Sequence, residues 1–77
     1  MKVLLVEDNL SIIKGLKFSL ENNGYIVEAK TTISDSIEYI KSNSIDLIIL
    51  DVTLPDGNGF DLFDNYIKEK KTPTIFL

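Results

Sequence analysis

Two short runs of aliphatic residues constrain the fold of this 77-residue chain more than any other feature of its sequence. The runs are Val3–Val6 (Val-Leu-Leu-Val) and Leu47–Leu50 (Leu-Ile-Ile-Leu). Each has the length of a β-strand, and neither alternates with polar residues, so both faces of each strand are expected to be buried. Such strands are typical of parallel sheets that carry helices on both sides. The chain is therefore predicted to be an α/β protein with these two strands in the middle of the sheet.

The remaining segments have helical or strand patterns of their own. Apolar residues three and four positions apart predict three helices, and two further apolar segments predict two more strands. The predicted helices cover residues 9–22, 32–43 and 60–70, the last with Phe60, Phe63 and Ile67 on its buried side, and the added strands cover 25–29 and 74–77. Because the second strand is the most polar, it belongs at an edge. This predicts the order 2-1-3-4 of a flavodoxin-like doubly wound parallel sheet.

This predicted arrangement leaves one face of the sheet thinly covered. Right-handed crossovers place the first helix on one face and the second and third helices on the other. The apolar strand at 74–77 would then form an uncovered edge, which natural proteins normally protect. We therefore expect residues 1–77 to be an incomplete β-α-β-α-β-α-β domain that stops before a fifth strand and a fifth helix.

The charged and reactive residues exclude several classes of function. The chain has no cysteine and no histidine, so it has neither disulfides nor the usual ligands of zinc. Its net charge of −4 argues against direct binding to nucleic acid or to an anionic membrane surface. The apolar runs are too short to cross a bilayer, and Glu7 and Asp8 interrupt the N-terminus before a signal peptide could develop. We expect a cytoplasmic protein that binds ligands through oxygen atoms.

Acidic residues follow the two central strands at the point where each strand ends. Glu7 and Asp8 follow the first strand, and Asp51 follows the third. Ligands of open α/β sheets bind beyond the carboxyl ends of the strands, where the strand order reverses, so the three acids should meet there. Their mutual repulsion can be relieved by a raised pKa at one acid or by a bound cation. Oxygen ligands favour Mg²⁺, the backbone of Thr53 can add a carbonyl ligand, and Asp51 becomes a candidate nucleophile.

Each of these signals also has a plainer structural interpretation. Asp8 or Asn9 could cap the first helix, and Asp51 could simply end a strand. Gly57 and Gly59 are most economically explained as turn glycines. The joint occurrence of the signals is what favours a functional site.

Three segments taken together resemble the receiver domain of bacterial two-component response regulators. They are Val3–Asn9 (Val-Leu-Leu-Val-Glu-Asp-Asn), Asp46–Asp51 (Asp-Leu-Ile-Ile-Leu-Asp) and Leu54–Phe60 (Leu-Pro-Asp-Gly-Asn-Gly-Phe). The resemblance extends in register over all 77 residues. The third segment is most similar to regulators that carry a winged-helix DNA-binding output domain.

The resemblance implies a role for each acidic residue. Asp51 would be the phosphate acceptor, which receives a phosphoryl group from the histidine of a sensor histidine kinase. Glu7 and Asp8 would hold Mg²⁺, Asp8 more directly, and Asp51 and the backbone carbonyl of Thr53 would complete the protein ligands. The side chain of Thr53 would tune the rate of dephosphorylation.

The resemblance also implies what these 77 residues do not contain. Family members carry a Ser or Thr after the fourth strand, and a Lys and an aromatic switch residue on the fifth strand, all of which would follow Leu77. The output domain would lie outside this chain as well, so DNA would be contacted only through that domain. The resemblance therefore supports phosphorylation of this chain but not signal output by it.

Two other functions remain open from the residues alone. A metal-dependent phosphohydrolase with an aspartate nucleophile would need a second acid two residues after Asp51, where the chain has Thr53. An inert fragment could instead form homo-oligomers through its exposed fourth strand or its uncovered sheet face. We expect a signalling module and not an enzyme.

Overall fold

The computed structural model describes residues 1–77, which form one open sheet with helical segments on both faces. The elements in chain order are β1 (Lys2–Val6), α1 (Leu10–Asn22), β2 (Ile26–Lys30), α2 (Ile33–Ser42), β3 (Leu47–Leu50), β4 (Thr53–Leu54), β5 (Gly57–Asn58), α3 (Gly59–Leu62), a π-helical turn (Phe63–Ile67), a 3-10 turn (Lys68–Lys70) and β6 (Thr74–Phe76). None of the helices has the length and apolar character that crossing a bilayer requires. Helices α1 and α2 coincide with segments of helical apolar spacing, and the two central strands coincide with the uninterrupted aliphatic runs.

The main sheet confirms the predicted topology. Its four strands are parallel and lie in the order β2-β1-β3-β6. Because β6 is the fourth strand predicted from the sequence, this is the predicted order 2-1-3-4. The more polar β2 lies at an edge, and the two aliphatic strands lie in the centre, as their lack of alternation indicates.

Successive residues of β1 face two different hydrophobic clusters, because side chains alternate across a strand. Leu4 and Val6 pack with residues of α2 and of the third helical segment, including Ile40, Leu62 and Ile67. Val3 and Leu5 pack on the other face, where the partly buried residues of α1 cover them, namely Ile13, Leu16 and Leu20. The predicted distribution of one helix on one face and two on the other is therefore confirmed.

The helices begin at side-chain caps that the sequence pattern allows. The Asn9 side chain accepts hydrogen bonds from the Ser11 and Ile12 N–H groups and so caps α1. Thr32 caps α2 by accepting from the Asp35 N–H. Because Asn9 takes the capping role at α1, Asp8 is not needed for it.

The third helical segment departs from the regular helix predicted over residues 60–70. Only Gly59–Leu62 is α-helical, and the next turn is a π-helix. Leu62 and Ile67, which are 1% and 0% exposed, lie five residues apart, a spacing that a π turn brings to one side but an α-helix separates by about 140°. The prediction that Phe60 faces the core is wrong, since Phe60 is 50% exposed and its ring lies 5.0 Å from that of Phe76.

A small hairpin is a further element that the sequence does not predict. The sequence predicts no strand between residues 51 and 59, but β4 and β5 pair antiparallel, with Thr53 opposite Asn58 and Leu54 opposite Gly57. The hairpin turns at Pro55 and Asp56. It lies between β3 and α3 and begins two residues after Asp51, the candidate site residue that follows β3.

Candidate acidic site at the carboxyl ends of β1 and β3

The register between the two central strands brings the predicted acids together. Val6 lies opposite Leu50, so the residues that follow, Glu7 and Asp51, leave the sheet at the same level. The Asp51 N–H donates to the Val6 carbonyl at 2.9 Å and extends the ladder to this level. One carboxylate oxygen from each of Glu7, Asp8 and Asp51 lies within 4.8 Å of the others. The predicted convergence of three acids is thus a feature of the structure.

Glu7 is the most enclosed member of the cluster. It is 4% exposed, and its Oε1 accepts a hydrogen bond from the Asn9 N–H at 3.0 Å. Burial raises the pKa of Glu7 above its usual value, the charges of Asp51 and Asp8 raise it further, and the hydrogen bond from Asn9 opposes the rise. Ionised Glu7 is therefore held in an unfavourable environment that a nearby cation would improve.

Asp8 and Asp51 are more accessible than Glu7. Asp8 is exposed, and Asp51 is half-buried. Oδ1 of Asp51 accepts from the Thr53 N–H at 3.4 Å, a long hydrogen bond that orients the carboxylate. Thr53 itself is exposed and begins β4. The site therefore has one enclosed carboxylate and two that solvent and an incoming ligand can reach.

Gly59 has a role that the sequence did not reveal. A Cβ atom at Gly59 would collide with the backbone carbonyl of Asp51, and the Gly59 N–H donates to the Val52 carbonyl at 2.6 Å. The start of α3 thus packs directly against the backbone that carries Asp51. The interpretation of Gly59 as a turn glycine is incomplete, because close approach of two backbone segments requires it. Only a contact between segments reveals this need.

The donor chemistry of the cluster fits a hard divalent cation. All three side chains offer carboxylate oxygens, and the chain has no histidine or cysteine to add nitrogen or sulfur ligands. Mg²⁺ is bound in proteins by one or two carboxylates and keeps several positions for water or phosphate oxygens. The residues present therefore fit Mg²⁺ better than they fit a softer metal.

Comparison with known families and proteins gives a consistent result. The model of the response regulator receiver domain family matches residues 3–77. The transcriptional regulatory protein DltR of Streptococcus agalactiae is 35% identical over 79 residues, which cover 100% of this chain and 35% of DltR. The response regulator ArlR of Staphylococcus saprophyticus is 32% identical over 76 residues, which cover 99% of this chain and 34% of ArlR. The chain spans about a third of the length of these curated relatives.

Solved structures agree with the family match. The non-phosphorylated HemR receiver domain from Leptospira biflexa is 45% identical, with a TM-score of 0.89 over 97% of this chain and 61% of that chain. A two-component response regulator from Clostridium difficile is 28% identical, with a TM-score of 0.93 over 99% of this chain and 63% of that chain. The MaeR response regulator bound to beryllium trifluoride is 31% identical, with a TM-score of 0.88 over 100% of this chain and 66% of that chain.

Proposed function

Because this chain belongs to the response regulator receiver domain family, we propose that Asp51 accepts a phosphoryl group from a sensor histidine kinase. The observation that carries the proposal is the position of Asp51, half-buried at the end of a central strand, with the carboxylates of Glu7 and Asp8 within 4.8 Å. A carboxylate in this setting can act as a nucleophile toward phosphorus if the surrounding negative charge is offset.

In the proposed transfer, an oxygen of the Asp51 carboxylate attacks the phosphorus of the kinase phosphohistidine. A P–O bond forms while the P–N bond breaks, the bonding pair stays on the imidazole nitrogen, and an acyl phosphate is left on Asp51. The Thr53 N–H donates to Oδ1, whereas Oδ2 has no hydrogen-bond donor in the structure. We therefore assign the attack to Oδ2.

We assign Mg²⁺ to Glu7, Asp8, Asp51 and the backbone carbonyl of Thr53. When bound, the ion offsets the negative charge of the phosphoryl oxygens. The all-oxygen donor set and the raised pKa of Glu7, which burial causes, support this assignment. MaeR, which is similar to this chain, binds beryllium trifluoride, a compact fluoride complex with the shape of a phosphoryl group. We expect the same complex to bind here at Asp51.

We extend the proposal to the whole protein with three further statements. Residues 1–77 are an incomplete receiver domain, a statement supported by the solved HemR receiver domain, of which they cover 61%. The complete protein regulates transcription, which the name of the relative, the transcriptional regulatory protein DltR, supports. As part of the same proposal, a DNA-binding output domain outside residues 1–77 contacts DNA, and the protein acts in the cytoplasm. The chain takes part in phosphoryl transfer as a substrate and not as an enzyme with turnover, since Thr53 stands where an aspartate-dependent hydrolase needs its second acid.

The proposal is tested by incubating the chain with acetyl phosphate and Mg²⁺ and measuring its intact mass. We expect the mass of one phosphoryl group to be added in the presence of Mg²⁺ and not in excess EDTA. Asp51→Asn should abolish the addition, whereas Asp64→Asn, which makes the same charge change on an exposed part of the third helical segment, should leave it unchanged. Phosphorylation that persists in Asp51→Asn would refute the assignment of the acceptor.

A further inference from the structure

A carboxylate outside the acidic cluster joins the β4–β5 hairpin to helix α2. Oδ1 of Asp56 accepts from the Ile33 N–H at 2.8 Å, and Oδ2 accepts from the Ser34 N–H at 3.0 Å. These N–H groups belong to the first turn of α2, where no intrahelical acceptor is available to them. Asp56 is 22 and 23 residues away from its partners in the chain, so this is a tertiary connection and not a local turn.

These two bonds are the only hydrogen bonds that join the tip of the hairpin to another element. Within residues 53–57, the other side-chain bond is local, from the Thr53 N–H to Asp51. The tip also touches α2 closely, because a Cβ at Gly57 would come within 2.7 Å of Cδ1 of Ile33. The hairpin is thus held against α2 on one side and continues into Asp51 on the other.

The connection between Asp56 and α2 matters for the site because Thr53 lies in the chain between Asp51 and Asp56. Its N–H bond to Asp51 is 3.4 Å long, which is beyond the usual range for such bonds, so a small displacement of β4 breaks it. We infer that Asp56 is a positioning residue for phosphorylation, because its two hydrogen bonds to α2 hold the tip of the hairpin and, through it, the Thr53 backbone beside Asp51. This inference rests on the proposed function of Asp51.

The chemistry of Asp56 agrees with this role. The hydrogen bonds from Ile33 and then Ser34 lower the pKa of Asp56, so the charged form is the one that α2 holds. A carboxylate uses both oxygens at once, whereas an amide side chain offers one acceptor. Negative charge at the N-terminus of α2 is also favourable to the helix dipole.

The chain contains a matched control for the test. Thr32 caps the same helix through the Asp35 N–H but does not touch the hairpin. Asp56→Ala and Thr32→Ala should therefore both weaken the start of α2, while only Asp56→Ala removes the hydrogen bonds between α2 and the tip of the hairpin. Urea unfolding of both variants establishes that they are folded under the assay conditions, and Asp56→Asn, which keeps one acceptor, serves if Asp56→Ala does not fold.

Two readouts test the inference. The first is the Thr53 amide resonance of the metal-free chain in ¹H–¹⁵N spectra, which should shift in Asp56→Ala and stay in place in Thr32→Ala. The second is the rate of Asp51 phosphorylation by acetyl phosphate at subsaturating Mg²⁺. We expect it to fall about threefold to tenfold in Asp56→Ala, less than the ~10–100-fold typical of groups that contact a metal ligand directly, because Asp56 acts through the intervening hairpin. The phosphorylation rate of Asp56→Asn should lie between the rates of the unaltered chain and of Asp56→Ala.

The outcomes separate the inference from the proposed function. If Asp56→Ala and Thr32→Ala have the same phosphorylation rate and the same Thr53 resonance, Asp56 is only a helix cap and the inference is wrong. If the unaltered chain is not phosphorylated at all, the proposed function fails. In that case the Thr53 resonance still decides whether Asp56 positions the hairpin.

Discussion

Because three carboxylates lie close together in the acidic cluster, we predict that removing the charge of Asp51 makes the metal-free protein more stable. Asp51→Asn neutralises one acid and keeps a carbonyl oxygen that can accept from the Thr53 N–H. The carboxylate oxygens of Glu7, Asp8 and Asp51 lie within 4.8 Å, where two ionised groups repel by about 3.5 kcal/mol at an effective dielectric constant of 20 and by about 0.9 kcal/mol in water. Since Asp8 is exposed and Asp51 half-buried, the lower part of this range applies. We expect Asp51→Asn to raise the free energy of unfolding by about 1–2 kcal/mol at pH 7.

Urea unfolding followed by circular dichroism, with EDTA and with excess Mg²⁺, measures this effect. Mg²⁺ at tenfold its dissociation constant should stabilise the unaltered chain by about 1.4 kcal/mol. Mg²⁺ should stabilise Asp51→Asn less, because this variant lacks one ligand. The difference in free energy of unfolding between the variant and the unaltered chain should therefore be smaller in Mg²⁺ than in EDTA. The control Asp64→Asn should change stability by less than about 0.5 kcal/mol in either condition. An Asp51→Asn variant that is no more stable than the unaltered chain in EDTA would contradict the reasoning.

Three further predictions concern residues around the site. Glu7→Gln should raise the stability of the metal-free chain at pH 7 and weaken Mg²⁺ binding. Because burial raises the folded-state pKa of Glu7 above 4.5, the gain in stability should shrink as the pH falls through that pKa and vanish below 4.5. Urea unfolding at several pH values measures this dependence. Gly59→Ala should destabilise the chain by about 1–3 kcal/mol and slow phosphorylation, because its Cβ meets the Asp51 backbone. Gly15→Ala, at a helical position with open space around it, should instead stabilise the chain by about 0.5–1 kcal/mol, and thermal unfolding compares the two. The contribution of the charged Asp56 carboxylate to stability should be present above its unfolded-state pKa of 3.8 and be lost as the pH falls through its lowered folded-state pKa. The difference in stability between Asp56→Ala and the unaltered chain should therefore shrink in strong acid, which urea unfolding at several pH values measures.

The central part of the fold and the acidic cluster were predictable from the sequence for related reasons. The aliphatic runs at Val3–Val6 and Leu47–Leu50 have the length and the uninterrupted apolar character of strands in the middle of a sheet. Once they are neighbours, the residues that follow them must leave the sheet at the same edge, which brings Asp51 to Glu7 and Asp8. The position of the cluster is thus a consequence of strand order.

The third helical segment shows where periodicity stops being informative. A regular helix with Phe60 on the buried side agrees with the sequence, but the structure buries Leu62 and Ile67 through a π turn and leaves Phe60 half-exposed. The choice between the two depends on how the sheet face and β6 are packed against the segment. Hydrophobic spacing in one segment contains no information about the shape of the surface that it covers.

The amino-acid sequence by itself determined the order of the main elements, the burial of the two central strands and the convergence of three acids, because the lengths and hydrophobic patterns of the segments are properties of the chain. Tertiary structure alone decided the β4–β5 hairpin, the close approach that requires Gly59 and the bond of Asp56 to α2. These features depend on distances between segments that come together only in the folded chain. Such distances result from packing, and no local pattern encodes them.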